Sequence, residues 1–72
     1  MNMQQRLDRG ARYAWRMTIR MGAAHMDTRG ETIGNGETVA EAKEAVRVFS
    51  AGRMGTHPDL VEVAAFEITG PR

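Results

Sequence analysis

Residues 12–22, RYAWRMTIRMG, alternate between two kinds of side chain almost without a break. One parity holds the apolar residues Tyr13, Trp15, Met17, Ile19 and Met21, and the other holds Arg12, Ala14, Arg16, Thr18 and Arg20. Successive side chains of a strand point to opposite sides of a sheet, so a period of two is typical of a strand with one buried face. We therefore predict a strand whose rings and thioethers lie in a core and whose guanidinium groups face outward.

A helix is predicted to begin after Thr38. The run Thr38-Val39-Ala40-Glu41 matches a capping box, in which the hydroxyl and the carboxylate each accept from an otherwise unpaired backbone N–H. Apolar residues then recur at spacings of three and four and predict the buried stripe Val39, Ala42, Val46 and Phe49. Gly52 is the expected end of the helix.

The rest of the chain predicts one more long strand and a loop. Residues 60–69, LVEVAAFEIT, have apolar side chains on both parities, which indicates a strand covered on both faces or central in its sheet. Residues 27–37 contain three glycines and predict turn and loop, in which only Glu31–Ile33 is compatible with a short returning strand.

The predicted fold class is α+β: a small antiparallel sheet of two long strands, with this short third as an option, packed on one α-helix in β-(β)-α-β order. Residues 11–70 form the single domain, and residues 1–10 are expected to be a mobile N-terminal arm.

The size of the chain limits how it can be stabilised. Its 72 residues lie near the lower limit for unaided folding, and the absence of cysteine excludes disulfides and thiolate metal sites. A two-stranded sheet is marginal in water, so we expect a homodimer in which a second copy completes the sheet or covers its open face. No apolar run approaches the roughly 20 residues of a membrane span, and the N-terminus lacks the apolar core of a secretory signal. We expect a cytoplasmic protein without membrane contact or cofactor.

Charge is distributed unevenly along the chain, although the net charge is only +1. Six arginines against two aspartates give +4 in residues 1–29, and four basic against seven acidic residues give −3 in residues 30–72. Arg12, Arg16 and Arg20 follow one another on the same side of the predicted strand, about 13 Å apart, and form the predicted binding surface. The competing interpretation is a solvated face whose arginines pair with Glu62 or Glu67 on a neighbouring strand.

Sites for metals, anions and catalysis receive little support from the sequence. The triplets His25-Met26-Asp27 and His57-Pro58-Asp59 would supply four ligands to a zinc or manganese ion if their segments met, but spacings this short arise readily by chance. Gly34-Asn35-Gly36 before a helix is similar to phosphate-binding loops but lacks their lysine and Ser/Thr, and Glu37 would repel a phosphate. The sequence thus predicts neither a metal site nor an enzyme.

The leading functional hypothesis is a non-enzymatic interaction protein that binds a larger macromolecule, expected to be a protein. In size and layout, though in no motif, the chain is similar to small accessory and inhibitor proteins of phages and mobile elements, anti-CRISPR proteins among them. One alternative is a small dimeric nucleic-acid-binding protein that places these arginines, with Arg6 and Arg9, on phosphates. Another is a dimeric small-molecule- or metal-binding enzyme that uses His25 and His57.

Overall fold

The computed structural model describes residues 2–72 and confirms a small α+β domain. Strand β1 spans Arg12–Met21, β2 spans Ala24–Ile33, the helix α1 spans Val39–Met54, and β3 spans Glu62–Thr69. A single 3-10 turn, Pro58–Leu60, precedes β3. The three strands form one antiparallel sheet in the order β2-β1-β3, so the N-terminal strand lies in the middle.

The orientation predicted for β1 is confirmed. Tyr13, Trp15, Met17 and Ile19 are buried, whereas Arg12, Arg16 and Arg20 are exposed. The buried side chains of β1 form one core with apolar residues of the helix, of β3 and of the flanking segments: Leu7, Val39, Ala42, Val46, Ala51, Val61 and Ile68. The helix therefore covers the aromatic side of the sheet and leaves the arginine side uncovered.

Strand β2 is longer than predicted, because the loop expected from residue 27 onward is sheet as far as Ile33. A two-residue turn, Gly22-Ala23, joins it to β1, and Gly22 takes the left-handed conformation at φ 61° that such a turn requires. Gly30 does not break the strand: a Cβ there would lie 2.6 Å from the Trp15 indole, so this glycine makes room for the ring. Of the three glycines that indicated a loop, Gly30 therefore serves packing inside the strand, and Gly34 and Gly36 lie in the loop that follows it.

Strand β3 is an edge strand, not a central or doubly covered one. Its register against β1 shifts between Thr18 and Ile19, where a β-bulge leaves Ala64 as the extra residue. On one side of the bulge Phe66 and Ile68 face the core, and on the other Val61 and Val63 do so. Because the bulge adds one residue, even-numbered residues face the core after it and odd-numbered residues face the core before it. This explains why apolar residues occur at both parities.

The helix differs from its prediction at its C-terminal end. It continues through Gly52 to Met54, and Gly55 ends it in the left-handed conformation at φ 69° while its N–H donates to the Ala51 carbonyl. Phe49 was predicted in the buried stripe but is 55% exposed, whereas Ser50 and Ala51 are buried. The last turns therefore approach the sheet through small residues and leave the ring outside.

The N-terminal segment, predicted as an arm, contacts the domain closely. Leu7 is 1% exposed, and its N–H donates to the Glu37 carbonyl at 2.8 Å. The Asp8 N–H donates to the Tyr13 hydroxyl at 2.8 Å. The core therefore extends into residues 2–10.

Candidate binding face

One side of the sheet has no helix over it, and we call it the open face. Directly opposite residues of antiparallel strands share a side, so the register assigns residues of all three strands to this face. Its charged and titratable members are Arg12, Arg16 and Arg20 of β1, His25, Asp27, Arg29 and Glu31 of β2, and Glu62 and Glu67 of β3. All of them are exposed.

The three predicted binding arginines differ in their surroundings. Arg20 forms an ion pair with Glu62 of β3, through a hydrogen bond that raises the pKa of Arg20 and lowers the pKa of Glu62. This is one of the cross-strand pairs that the competing interpretation expected. Arg12 and Arg16, by contrast, have no carboxylate within ion-pair distance among residues 2–72.

Arg29 is a member of this face that the sequence did not reveal, because its segment was predicted as loop. The register places it directly opposite Arg16, and within the described chain it too has no ion-pair partner. Two like charges in this position repel each other and attract an anion. Beside them lies an open depression of about 740 Å³ that also involves Thr18, Asp27 and Glu67. At this depression the Thr18 hydroxyl of β1 donates a hydrogen bond to Asp27 Oδ1 of β2 at 2.8 Å.

The charges on the open face are balanced. Its four arginines are matched by four carboxylates, those of Asp27, Glu31, Glu62 and Glu67. The Glu31 carboxylate also meets Arg72 at 3.0 Å. Tyr13 and Trp15 point to the other side of the sheet and are buried, so the open face has neither ring for stacking.

The histidines are not gathered into a metal site. Among the residues described, no group of three or more His, Cys, Asp or Glu side chains is placed to hold a metal ion. His57 Nδ1 accepts the Asp59 backbone N–H at 3.1 Å and so caps the 3-10 turn. His25 lies on the open face opposite Arg20.

The glycine loop before the helix is occupied by the protein's own hydrogen bonds. The N–H groups of Gly34, Asn35 and Gly36 donate respectively to the Ala11 carbonyl, a Glu37 carboxylate oxygen and the Leu7 carbonyl.

The helix N-terminus is satisfied in the same way. The Thr38 and Glu41 N–H groups form the predicted capping box, and those of Val39 and Ala40 donate to the carbonyls of Gln5 and Met3. Since these donors already have acceptors, the loop and the helix start do not form an anion site.

Comparisons with protein-family models, with curated proteins and with solved structures find nothing that matches this chain. Within residues 2–72, α1 and the other helical turn fall short of the length and apolar character needed to cross a membrane.

Proposed function

We propose that this chain is a non-enzymatic interaction protein that acts by binding a larger protein through its open face. The observation that supports this is a three-stranded sheet face without cover, on which Arg12, Arg16 and Arg29 lack ion-pair partners within residues 2–72. Arginine is enriched at protein interfaces because its planar fork binds carboxylates through two hydrogen bonds and stacks on aromatic rings. A partner that presents carboxylates to Arg16 and Arg29 would supply the missing anions.

The balanced charge favours a protein over a nucleic acid as partner. Nucleic-acid binding depends on excess positive charge that displaces counterions from phosphates. The open face has as many carboxylates as arginines, and those of Asp27 and Glu67 lie at the depression itself. A mosaic of both signs suits a protein surface of complementary pattern, where it selects the partner and its orientation.

In this proposal the protein acts by occupying a surface of its partner. A chain that covers a functional region of a larger protein inhibits or redirects that protein without chemistry of its own. Small accessory and inhibitor proteins of phages and mobile elements act in this style, and we extend the proposal to that class.

The test is affinity capture from lysate of the native host, with partners identified by mass spectrometry and their Kd values then measured with purified protein. Arg12→Ala/Arg16→Ala is compared with Lys43→Ala/Arg53→Ala, which removes the same charge from the helix. We expect the open-face pair to weaken binding by about 30-fold or more, the effect of losing an arginine hot spot of about 2 kcal/mol, and the helix pair to leave it unchanged. Arg20→Ala should have a smaller effect, because Arg20 is engaged by Glu62.

Equal affinities for the two double variants would refute the open face as the binding surface. Loss of the captured proteins after nuclease treatment, with a salt slope of several units on DNA or RNA, would favour the nucleic-acid alternative. The enzyme alternative would require that replacing His25 and His57 together changes the affinity for a ligand or metal.

A further inference from the structure

The outer edge of β2 is a second unused surface. Strand β2 pairs with β1 along its whole length and has no other strand beside it in residues 2–72. In a hairpin closed by a two-residue turn, Met21 and Ala24 form a hydrogen-bonded pair, so the even-numbered residues of β2 bond to β1. The N–H and C=O groups of the odd-numbered residues, from His25 to Ile33, therefore point outward. Ten residues of free edge without a proline or bulge form a template for another strand.

The charges of β2 are complementary to themselves about Thr28. If two copies of β2 pair antiparallel with Thr28 opposite Thr28, Asp27 of each lies opposite Arg29 of the other, and His25 lies opposite Glu31. All four charged or titratable side chains of the strand then meet a group of opposite sign, counting His25 when protonated. Each Arg29, which has only Arg16 opposite it within its own sheet, gains a carboxylate on its other side.

Neighbouring registers do not share this property. Moving the centre to Asp27 or to Arg29 brings like charges together, either Asp27 against Asp27 or Arg29 against Arg29. A shift that places an odd residue opposite an even one is excluded, because only the odd-numbered residues direct their N–H and C=O groups to the free edge and they can bond only to one another. The other edge, β3, is bent by its bulge and has two glutamates and no basic residue, so it offers no such pairing.

The helix side of β2 has apolar surface in the same place. A groove of about 420 Å³ lies between β2 and the end of the helix, with Ile19, Met26, Phe49 and Met54 among its lining residues. Met26 is 42% and Phe49 55% exposed. In the Thr28-centred register Met26 faces the partner subunit's Gly30, over which the Trp15 indole lies, so each thioether meets the edge of an aromatic ring and the two grooves adjoin across the symmetry axis.

We propose that the protein forms a symmetric dimer in which β2 pairs antiparallel with β2 of a second copy, with Thr28 on the two-fold axis. The product is a continuous six-stranded sheet that has no free β2 edge. Since the axis is perpendicular to the sheet, both open faces lie on the same side and form one composite surface. The dimer is independent of what that surface binds.

The first test uses charge reversal, with the oligomeric state measured by sedimentation at tens of micromolar chain. The wild type is expected to sediment as a dimer. Asp27→Arg and Arg29→Asp each place like charges opposite one another twice, so each variant alone is expected to be a monomer. Mixed together, the two variants are complementary at both positions and are expected to form a heterodimer. Asp59→Arg, which makes the same charge change as Asp27→Arg in the exposed 3-10 turn, should leave the dimer intact.

The mixture separates loss of pairing from loss of folding, because unfolded variants would not associate specifically. A wild type that stays monomeric, single variants that dimerise as the wild type does, or a mixture that stays monomeric would each overturn the proposal.

The second test reads the register directly. The chain has no cysteine, so Thr28→Cys introduces a single thiol. Opposite residues of a non-hydrogen-bonded pair have Cα atoms about 4.5 Å apart, within disulfide range, and we expect most of this variant to cross-link under mild oxidation. Met26→Cys, on the same side of the same strand, places its two thiols about 13 Å apart along the strands and should not cross-link. Cross-linking of Met26→Cys, or of neither variant, would contradict the Thr28-centred dimer.

Discussion

Gly34 and Gly52 show how differently a single methyl group acts at two positions. A Cβ at Gly34 would lie 2.1 Å from the Asp8 carbonyl oxygen, which is backbone and cannot rotate away. A Cβ at Gly52 meets nothing within 4 Å, and Gly52 lies inside the helix, where alanine is the better residue. We expect Gly34→Ala to destabilise the fold by about 1–3 kcal/mol and Gly52→Ala to stabilise it by about 0.5–1 kcal/mol. Urea unfolding measures both, and effects of equal sign would contradict the packing described for residue 34.

The sequence assigns some residues of the open face and not others. The outward direction of Arg12, Arg16 and Arg20 follows from the alternation of β1 alone. Arg29 could not be assigned to the same face, because its position opposite Arg16 depends on a register that two-residue turn geometry sets. The ion pair of Arg20 was foreseen only as one of two options, Glu62 or Glu67.

At the scale of elements, the start of the helix is held by one reciprocal pair of hydrogen bonds. Thr38 Oγ1 accepts from the Glu41 N–H at 3.1 Å, and the Glu41 carboxylate accepts from the Thr38 N–H at 3.0 Å. Replacing Thr38 by alanine leaves the Glu41 N–H without this acceptor, and we expect a loss of about 1 kcal/mol in urea unfolding. A loss below a few tenths of a kcal/mol would mean that water caps the helix equally well.

The same cap makes a defined contribution to the pH dependence of stability. The hydrogen bond from the Thr38 backbone, and then that involving its side chain, lowers the pKa of Glu41 below its unfolded value. The ionised carboxylate therefore stabilises the fold above the ordinary glutamate pKa, and this contribution is lost as the pH falls through the lowered value. Glu41→Gln should be less stable than the wild type at pH 7, with the difference diminishing towards pH 3. A difference that is constant across this range would contradict it.

The N-terminal segment belongs to the element scale because it pairs with the start of the helix. Arg6 forms an isolated bridge with Thr38, and the next residue, Leu7, is buried in the core. Leu7→Ala should cost about 2–5 kcal/mol, the range for a buried leucine, and Met3→Ala, at a residue 39% exposed, should cost far less. Thermal unfolding compares the two, and a Leu7 variant as stable as the Met3 variant would show that the segment behaves as a free arm.

Which elements the sequence predicts depends on how local their signals are. The helix start and β1 were predicted because capping and alternation are properties of consecutive residues. Residues 27–30 of β2 were predicted as loop because they include Gly30. This glycine makes room for the Trp15 indole of the neighbouring strand, and the pattern of consecutive residues does not show such a contact. The edge position of β3 was hidden by a bulge that forms only against Thr18 and Ile19.

For the whole molecule, the proposed dimer predicts an alternating pattern of hydrogen exchange. Even-numbered amides of β2, such as those of Met26 and Thr28, bond to β1 and should be protected at every concentration. The amides of Asp27 and Arg29 point outward and should become protected only when the chains associate. NMR exchange at low and high chain concentration measures this, and Asp27 and Arg29 amides that remain unprotected at high concentration would count against β2 pairing.

The central position of β1 has a consequence for biosynthesis. Both neighbours of the strand follow it in the chain, and the second arrives only after the whole helix has been made. On the ribosome, a hairpin of β1 and β2 is complete while most of the aromatic and thioether surface of β1 is still exposed to water, because the helix that will cover it has yet to emerge. The apolar side of β1 is therefore most open to unwanted association in the interval between emergence of the hairpin and release of the last strand.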